Sequence, residues 1–186
     1  MSSISDTYKV LIAGDEEYGF AICTRLIDRE LTNPRTLAVE ALSKDWPHDE
    51  WIKFITLSSV GFMTTIELDL ELHGPWVWEL YNVMEPRDYF RRFDGAVIVA
   101  NPRKPDAMSY IPPLVESIDT HLGHRIPMMM MVDTSPGLSS DEIACVEELA
   151  NQLDILFAPT DISAESNLDE VFKELAFRIN EATKKI

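Results

Sequence analysis

Positive charge is scarce in this chain. Sixteen lysines and arginines stand against 32 aspartates and glutamates, a formal charge of −16. Nucleic-acid backbones and anionic membranes bind basic surfaces, so neither is an expected partner. Cysteine is sparse too. Only Cys23 and Cys145 occur, both within helical patterns, and buried free thiols are expected rather than a disulfide, as suits a reducing compartment. No apolar run approaches the roughly 20 residues that span a bilayer. The opening MSSISDTYK has no apolar signal-peptide core, Ser2 stands where myristoylation needs glycine, and the closing EATKKI has no prenylation cysteine. A cytoplasmic protein without a membrane anchor is therefore expected. Metal-ligating clusters are missing as well. His121 and His124 flank Leu122 and Gly123 with no cysteine or carboxylate pair to complete a site, so they read as a helix end. No Ser–His–Asp or Cys–His set assembles.

Apolar residues are abundant, at 46% of 186. That length and composition suit one domain, residues 1–186, with a substantial core. Tyr8 to Ala13 reads as a buried strand. Phe20, Cys23, Ile27 and Leu31 then recur at helical spacing, in a helix that ends near Asn33-Pro34. Residues 34–58 form an extra segment, in which 36–44 suits a short helix and Trp51 to Leu57 a strand. From Thr64 to Leu72 the pattern alternates, with Ile66, Leu68, Leu70 and Leu72 on one face. His73-Gly74-Pro75 interrupts it and Trp76 to Tyr81 resumes as strand, so these two runs are expected to form an antiparallel hairpin.

Gly95 to Asn101 and Met128 to Asp133 are continuous apolar runs, as expected of strands covered on both faces, and Ile155 to Ala158 is a shorter one. At such a central position the four methionines 128–131 read as core rather than as a soft-metal site. Helical patterns cover 108–122, 139–152 and 168–183. Ser139 and Glu142 have capping-box spacing, and Asn167 with Glu170 is expected to cap the last helix. Strands alternating with helices predict an α/β fold: three layers, with a mostly parallel six-stranded sheet and one antiparallel hairpin.

One hairpin between the first and second helices of an otherwise parallel α/β domain resembles the layout of Ras-like small GTPases, members of the P-loop NTPase class. The motifs fall in matching order over nearly the whole chain. Gly14-Asp15-Glu16-Glu17-Tyr18-Gly19 has the glycine spacing of the phosphate-binding loop. Ser59-Val60-Gly61-Phe62 is similar to the switch I threonine segment of the Arf branch. Val77 to Asn82 looks like the strand leading into switch II, and Phe157 to Phe172 resembles the final base-binding loop of Ras and Rab proteins.

The residues that carry the family's chemistry are replaced. Phe20 stands for the phosphate-binding lysine and Ala21 for the magnesium-binding hydroxyl. Asn82 falls on the second magnesium motif's aspartate, Glu85 on its glycine, and Pro86 on the water-orienting glutamine. Asp133-Thr134-Ser135-Pro136 takes the guanine-reading position, and Asp161-Ile162-Ser163 the last base-contacting triplet. Only Ser59 keeps a suitable oxygen. Glu16 and Glu17 would meet a triphosphate with like charge. At roughly 5 Å and an effective dielectric near 20, each such contact costs about 3 kcal/mol, whereas the helix dipole returns at most about 2 kcal/mol. The acids instead suit the helix's positive end themselves.

The resemblance therefore implies a pseudo-GTPase: vestigial nucleotide-binding positions, neither GTP nor magnesium as cofactor, and a protein-interaction or scaffold role. Trp46, Trp51, Phe62, Trp76 and Trp78 are candidate contacts for a protein partner, such as another GTPase-like or regulatory α/β domain. The tryptophans equally suit burial of the extra segment against the domain. Two alternatives stay open: a divergent GTPase that still binds GTP or GDP, and a degenerate receiver-like domain. The second is suggested by the acidic Asp15-Glu16-Glu17 and by Leu80 to Pro86.

Overall fold

The computed structural model describes residues 4–27, 51–59, 62–73, 93–135, 137–162 and 165–184. The elements are β1 (Ile4–Gly14), α1 (Glu16–Ile27), β2 (Trp51–Ser59), β3 (Phe62–His73) and β4 (Gly95–Ala100), then α2 (Pro105–Leu122), β5 (Met128–Asp133), α3 (Ser140–Gln152), β6 (Leu156–Thr160) and α4 (Glu165–Thr183). They form an α/β fold around one six-stranded sheet in the order β2-β3-β1-β4-β5-β6. Every pairing is parallel except β2 with β3.

Side-chain alternation divides the core into two layers. Tyr8, Val10 and Ile12 of β1 point to one face, where Ile66, Leu68, Leu70 and Leu72 of β3 meet Ile22 of α1 and Phe172 of α4. Leu11 and Ala13 point to the other, against Ile111 and Ile118 of α2 and Val146 of α3. Each fully buried aliphatic side chain stabilises by about 1.5–3 kcal/mol, and the six strands together supply more of the buried apolar residues than the helices do. Met128 to Met131 are all buried in β5, two in each layer, as an unbranched side chain between two helical layers can be.

The hairpin is not the predicted one. Trp51 to Ser59 runs antiparallel to Phe62 to His73, with Trp51 opposite Leu70 and Ser59 opposite Phe62. Residues 76–81, the expected partner strand, lie outside the described residues, as do 36–44. The alternation of 64–72 marked β3 correctly. It could not identify which neighbouring apolar run was its partner, because period-2 patterning fixes a face and not a partner.

Helix ends differ for local reasons. α2 starts at Pro105, whose missing N–H costs nothing in a first turn. Pro112 and Pro113 lie inside the same helix and remove two backbone donors. Buried Ile111, Leu114, Val115 and Ile118 hold the helix on the sheet regardless. Asn167 is not the cap of α4. It lies inside the helix and its amide faces Pro159 O, while Glu170 pairs with Lys173. The capping box of α3 forms as read: Ser139 Oγ accepts from Glu142 N, and Glu142 Oε2 accepts from Ser139 N. Gly123, in a left-handed conformation, closes α2 beside His124. Both cysteines are free, but only Cys23 is buried, where desolvation pushes its thiol pKa up; Cys145 is exposed on α3. Among the described residues, no helix is long and apolar enough to cross a membrane.

Candidate functional site at the β1–β4 switch point

The chain leaves β1 for α1 and β3 on one side, then returns across β1 to β4 on the other. In open α/β sheets the crevice beyond the carboxyl ends of strands at such a reversal is where ligands bind. Here that reversal falls where β1 ends at Gly14 and Asn101 follows β4.

Gly14 makes the turn. Its φ is +113°, and a Cβ there would lie 2.2 Å from Val99 O, so no side chain fits. Asp15 N then donates to Val99 O at 2.9 Å, and α1 begins at Glu16. This departs from what the glycine spacing suggests. A phosphate-binding loop needs several non-helical residues whose N–H groups point inward. Residues 16–19 are already helical. Gly19 answers a packing need instead, since a Cβ on it would come within 2.6 Å of Leu72 Cδ1 of β3.

Asp15 is the N-cap of α1. Its Oδ1 accepts from Tyr18 N at 3.0 Å, and its carbonyl accepts from Gly19 N at 2.9 Å. Its Oδ2 accepts from Asn101 Nδ2 at 3.2 Å and pairs with Lys104 Nζ at 2.9 Å. Asp15 is 3% exposed and Asn101 4%, so this carboxylate occupies the helix's positive end with both oxygens engaged. Lys104 also reaches Glu17 Oε2 at 3.1 Å. Partial burial disfavours the Lys104 charge, but its hydrogen bonds to Asp15 and Glu17 outweigh that and raise its pKa. Tyr18 is raised too, first by burial and then by the nearby Asp133, Asp15 and Glu17 carboxylates. Its phenol therefore stays neutral above the ordinary tyrosine range.

The neighbouring strand ends are tied in the same way. Asp133 Oδ1 accepts from Ser135 N at 3.0 Å and Ile162 N at 3.2 Å, and Oδ2 accepts from Ser135 Oγ at 2.8 Å. Thr134 N donates to Thr160 O. Asp133 thus joins the loop after β5 to half-buried Asp161 and buried Ile162 after β6. Arg103 spans the next gap, donating to Gly137 O and pairing with Glu142 at 2.9 Å.

That pairing has a pH signature. The Arg103 guanidinium, with the Ser139 backbone and hydroxyl donors, holds Glu142 down from 4.5 to about 2. Folding lowers this pKa, so ionised Glu142 stabilises the fold above pH 4.5 and loses that contribution as pH falls towards 2. Urea midpoints of Glu142→Gln should fall less steeply than those of the natural protein across that interval. Parallel slopes would show that the pair contributes nothing to acid stability.

Not all predicted site residues meet here. Gly14, Asp15, Glu17, Asp133, Thr134 and Asp161 lie along the carboxyl edge of the sheet. Gly19 is within α1, and Glu16 opens it with a side chain outside the described ones. Phe20 and Ala21 pack against the core layer, so the residue at the lysine position faces inward. Ser59 is displaced altogether. It pairs with Phe62 before β3 reaches Thr65, and Thr65 registers with Ile4 at the start of β1. Ser59 and Phe62 therefore sit at the end of the sheet opposite Gly14, because β2 runs antiparallel. Trp51, opposite Leu70, begins β2 at the Gly14 end. Trp46, Trp76, Trp78 and Asn82 lie outside the described residues.

Asn101, Arg103 and Lys104 were missed from the sequence. Their signal was an Arg-Lys pair that follows the apolar run 95–100 after only Asn101 and Pro102, where an open sheet presents its ligand-facing loop. No protein-family model matches this sequence, and no curated protein matches it either.

Proposed function

We propose that this chain is a catalytically inactive small-GTPase-like protein, a pseudo-GTPase of the Ras superfamily used as a protein-interaction or scaffold module. The single observation that carries this reading is Asp15. Its carboxylate takes the donors that a phosphate group would need, at the N-terminus of the helix after β1. An antiparallel hairpin between α1 and β4 in an otherwise parallel sheet also supports the family layout.

A triphosphate arriving at this edge would have to displace Asp15 from Tyr18, Asn101 and Lys104, and then lie against Glu17. Asp133, which the resemblance aligns with the guanine-reading asparagine, is engaged with Ser135 and Ile162. Neither GTP nor magnesium is required to complete such a site. The partner surface we favour is at the Gly14 end, where Trp51 begins β2. Phe62 belongs to the far end of the hairpin and is separated from Trp51 by most of the length of β3.

Lys104 favours one competing reading. It brings a cation to the start of α1 from another loop, and in a divergent GTPase it would substitute for the missing lysine. The receiver-like alternative has less support, since that fold runs 2-1-3-4-5 in parallel strands and this sheet runs 2-3-1-4-5-6 with an antiparallel edge. Titrating ligand-free protein with fluorescent GTP, GDP and ATP analogues, with and without magnesium, separates pseudo-GTPase from GTPase. No saturable signal and no rise in melting temperature are expected. Micromolar binding with stabilisation would reject the pseudo-GTPase, because an occupied site must stabilise the folded state.

A further inference from the structure

At the opposite end of the sheet from Asp15, a cavity of about 300 Å³ opens where β5 and β6 begin. Its apolar lining includes Met128, Ile155, Leu156 and Ala182, and two of the chain's few cations, Arg125 and Arg178, border it. The size is at the lower end for small-molecule sites, and an apolar lining with a few convergent polar groups is their usual composition.

The two guanidiniums are only partly engaged. Arg125 donates one terminal nitrogen to the Leu153 and Asp154 carbonyls, and its other faces the Asp154 carboxylate at 3.1 Å. That carboxylate is 90% exposed, and so solvated a partner holds a guanidinium weakly. Arg178 uses Nε on Glu174, and its terminal NH₂ groups are the pair suited to a bidentate carboxylate. We propose that this cavity binds a small amphipathic organic anion. Its apolar body would lie on Met128, Ile155 and Ala182, and its carboxylate on Arg178 with Arg125 beside it.

The test uses the full chain with anilinonaphthalene sulfonate as reporter and octanoate and octanol as competitors. The dye should saturate one site, octanoate should displace it, and octanol at equal concentration should not. Arg178→Gln should weaken octanoate about tenfold or more. Ala182→Trp, which occupies the cavity while leaving both arginines in the sequence, should abolish binding. Both surface changes should leave the melting temperature within a few degrees of the natural protein. Should either variant fail to fold, the other alone decides. Absence of saturable binding, equal competition by octanol, or octanoate affinity unchanged in the folded variants would overturn the proposal. None of these results depends on whether the Asp15 end binds nucleotide.

Discussion

Alanine at Gly14 is expected to be the most damaging single change in the described structure. It places a Cβ 2.2 Å from Val99 O at a φ of +113°. Backbone strain of about 1–3 kcal/mol adds to overpacking of similar size, because the obstacle is a strand carbonyl that cannot rotate away. A loss of about 4 kcal/mol follows, much of the roughly 5–15 kcal/mol by which a domain is stable. Gly123→Ala is the control: its φ is +69°, yet nothing lies within 4 Å of the added Cβ, so about 1 kcal/mol is expected there. Urea unfolding of the two variants decides. Equal losses would mean that β1 does not end against β4 as described.

Asp15→Ala is expected to be the second largest. It removes the N-cap of α1, worth about 0.5–2 kcal/mol, and strips the buried Asn101 amide of its acceptor, at about 1–3 kcal/mol. Lys104 is 47% exposed and keeps Glu17, so losing its bond to Asp15 adds little. The total is about 3 kcal/mol, the middle of a summed range of roughly 1.5–5 kcal/mol. Asp15→Asn keeps an oxygen for Tyr18 N and should recover about half of it. If Asp15→Ala were as stable as the natural protein, the carboxylate would not be the keystone of this turn.

Much of this architecture was legible in the residues. Continuous apolar runs marked β4 and β5 because both faces of those strands are covered, and alternation marked β3 because only one apolar face is needed there. The capping box at Ser139 and Glu142 was readable because it is purely local. What escaped was non-local. Pairing Trp51–Ser59 with β3 is a tertiary choice between two apolar runs, and it moved Ser59 and Phe62 away from the site.

At the site itself, the acid that caps the helix N-terminus is Asp15, whereas Glu17 reaches Lys104. The glycine spacing misled, because Gly19 was read as part of a loop while packing on Leu72 explains it. Lys104 and Asn101 were invisible for the same non-local reason. They follow β4, and only the sheet order brings them to Asp15.

The central claim is that Asp15 stands where a phosphate would otherwise bind. Its direct test is the melting temperature of Asp15→Ala and of the natural protein in about 100 mM phosphate against chloride of equal ionic strength. With Asp15 gone, the α1 N-terminus and Lys104 are released for an anion. A site binding phosphate at about 10 mM would add roughly 1.4 kcal/mol at that concentration, or about 3–5 °C for a chain of this size. The account predicts that excess in the variant, beyond whatever phosphate does for the natural protein. Equal shifts in both, or a larger one in the natural protein, would contradict it.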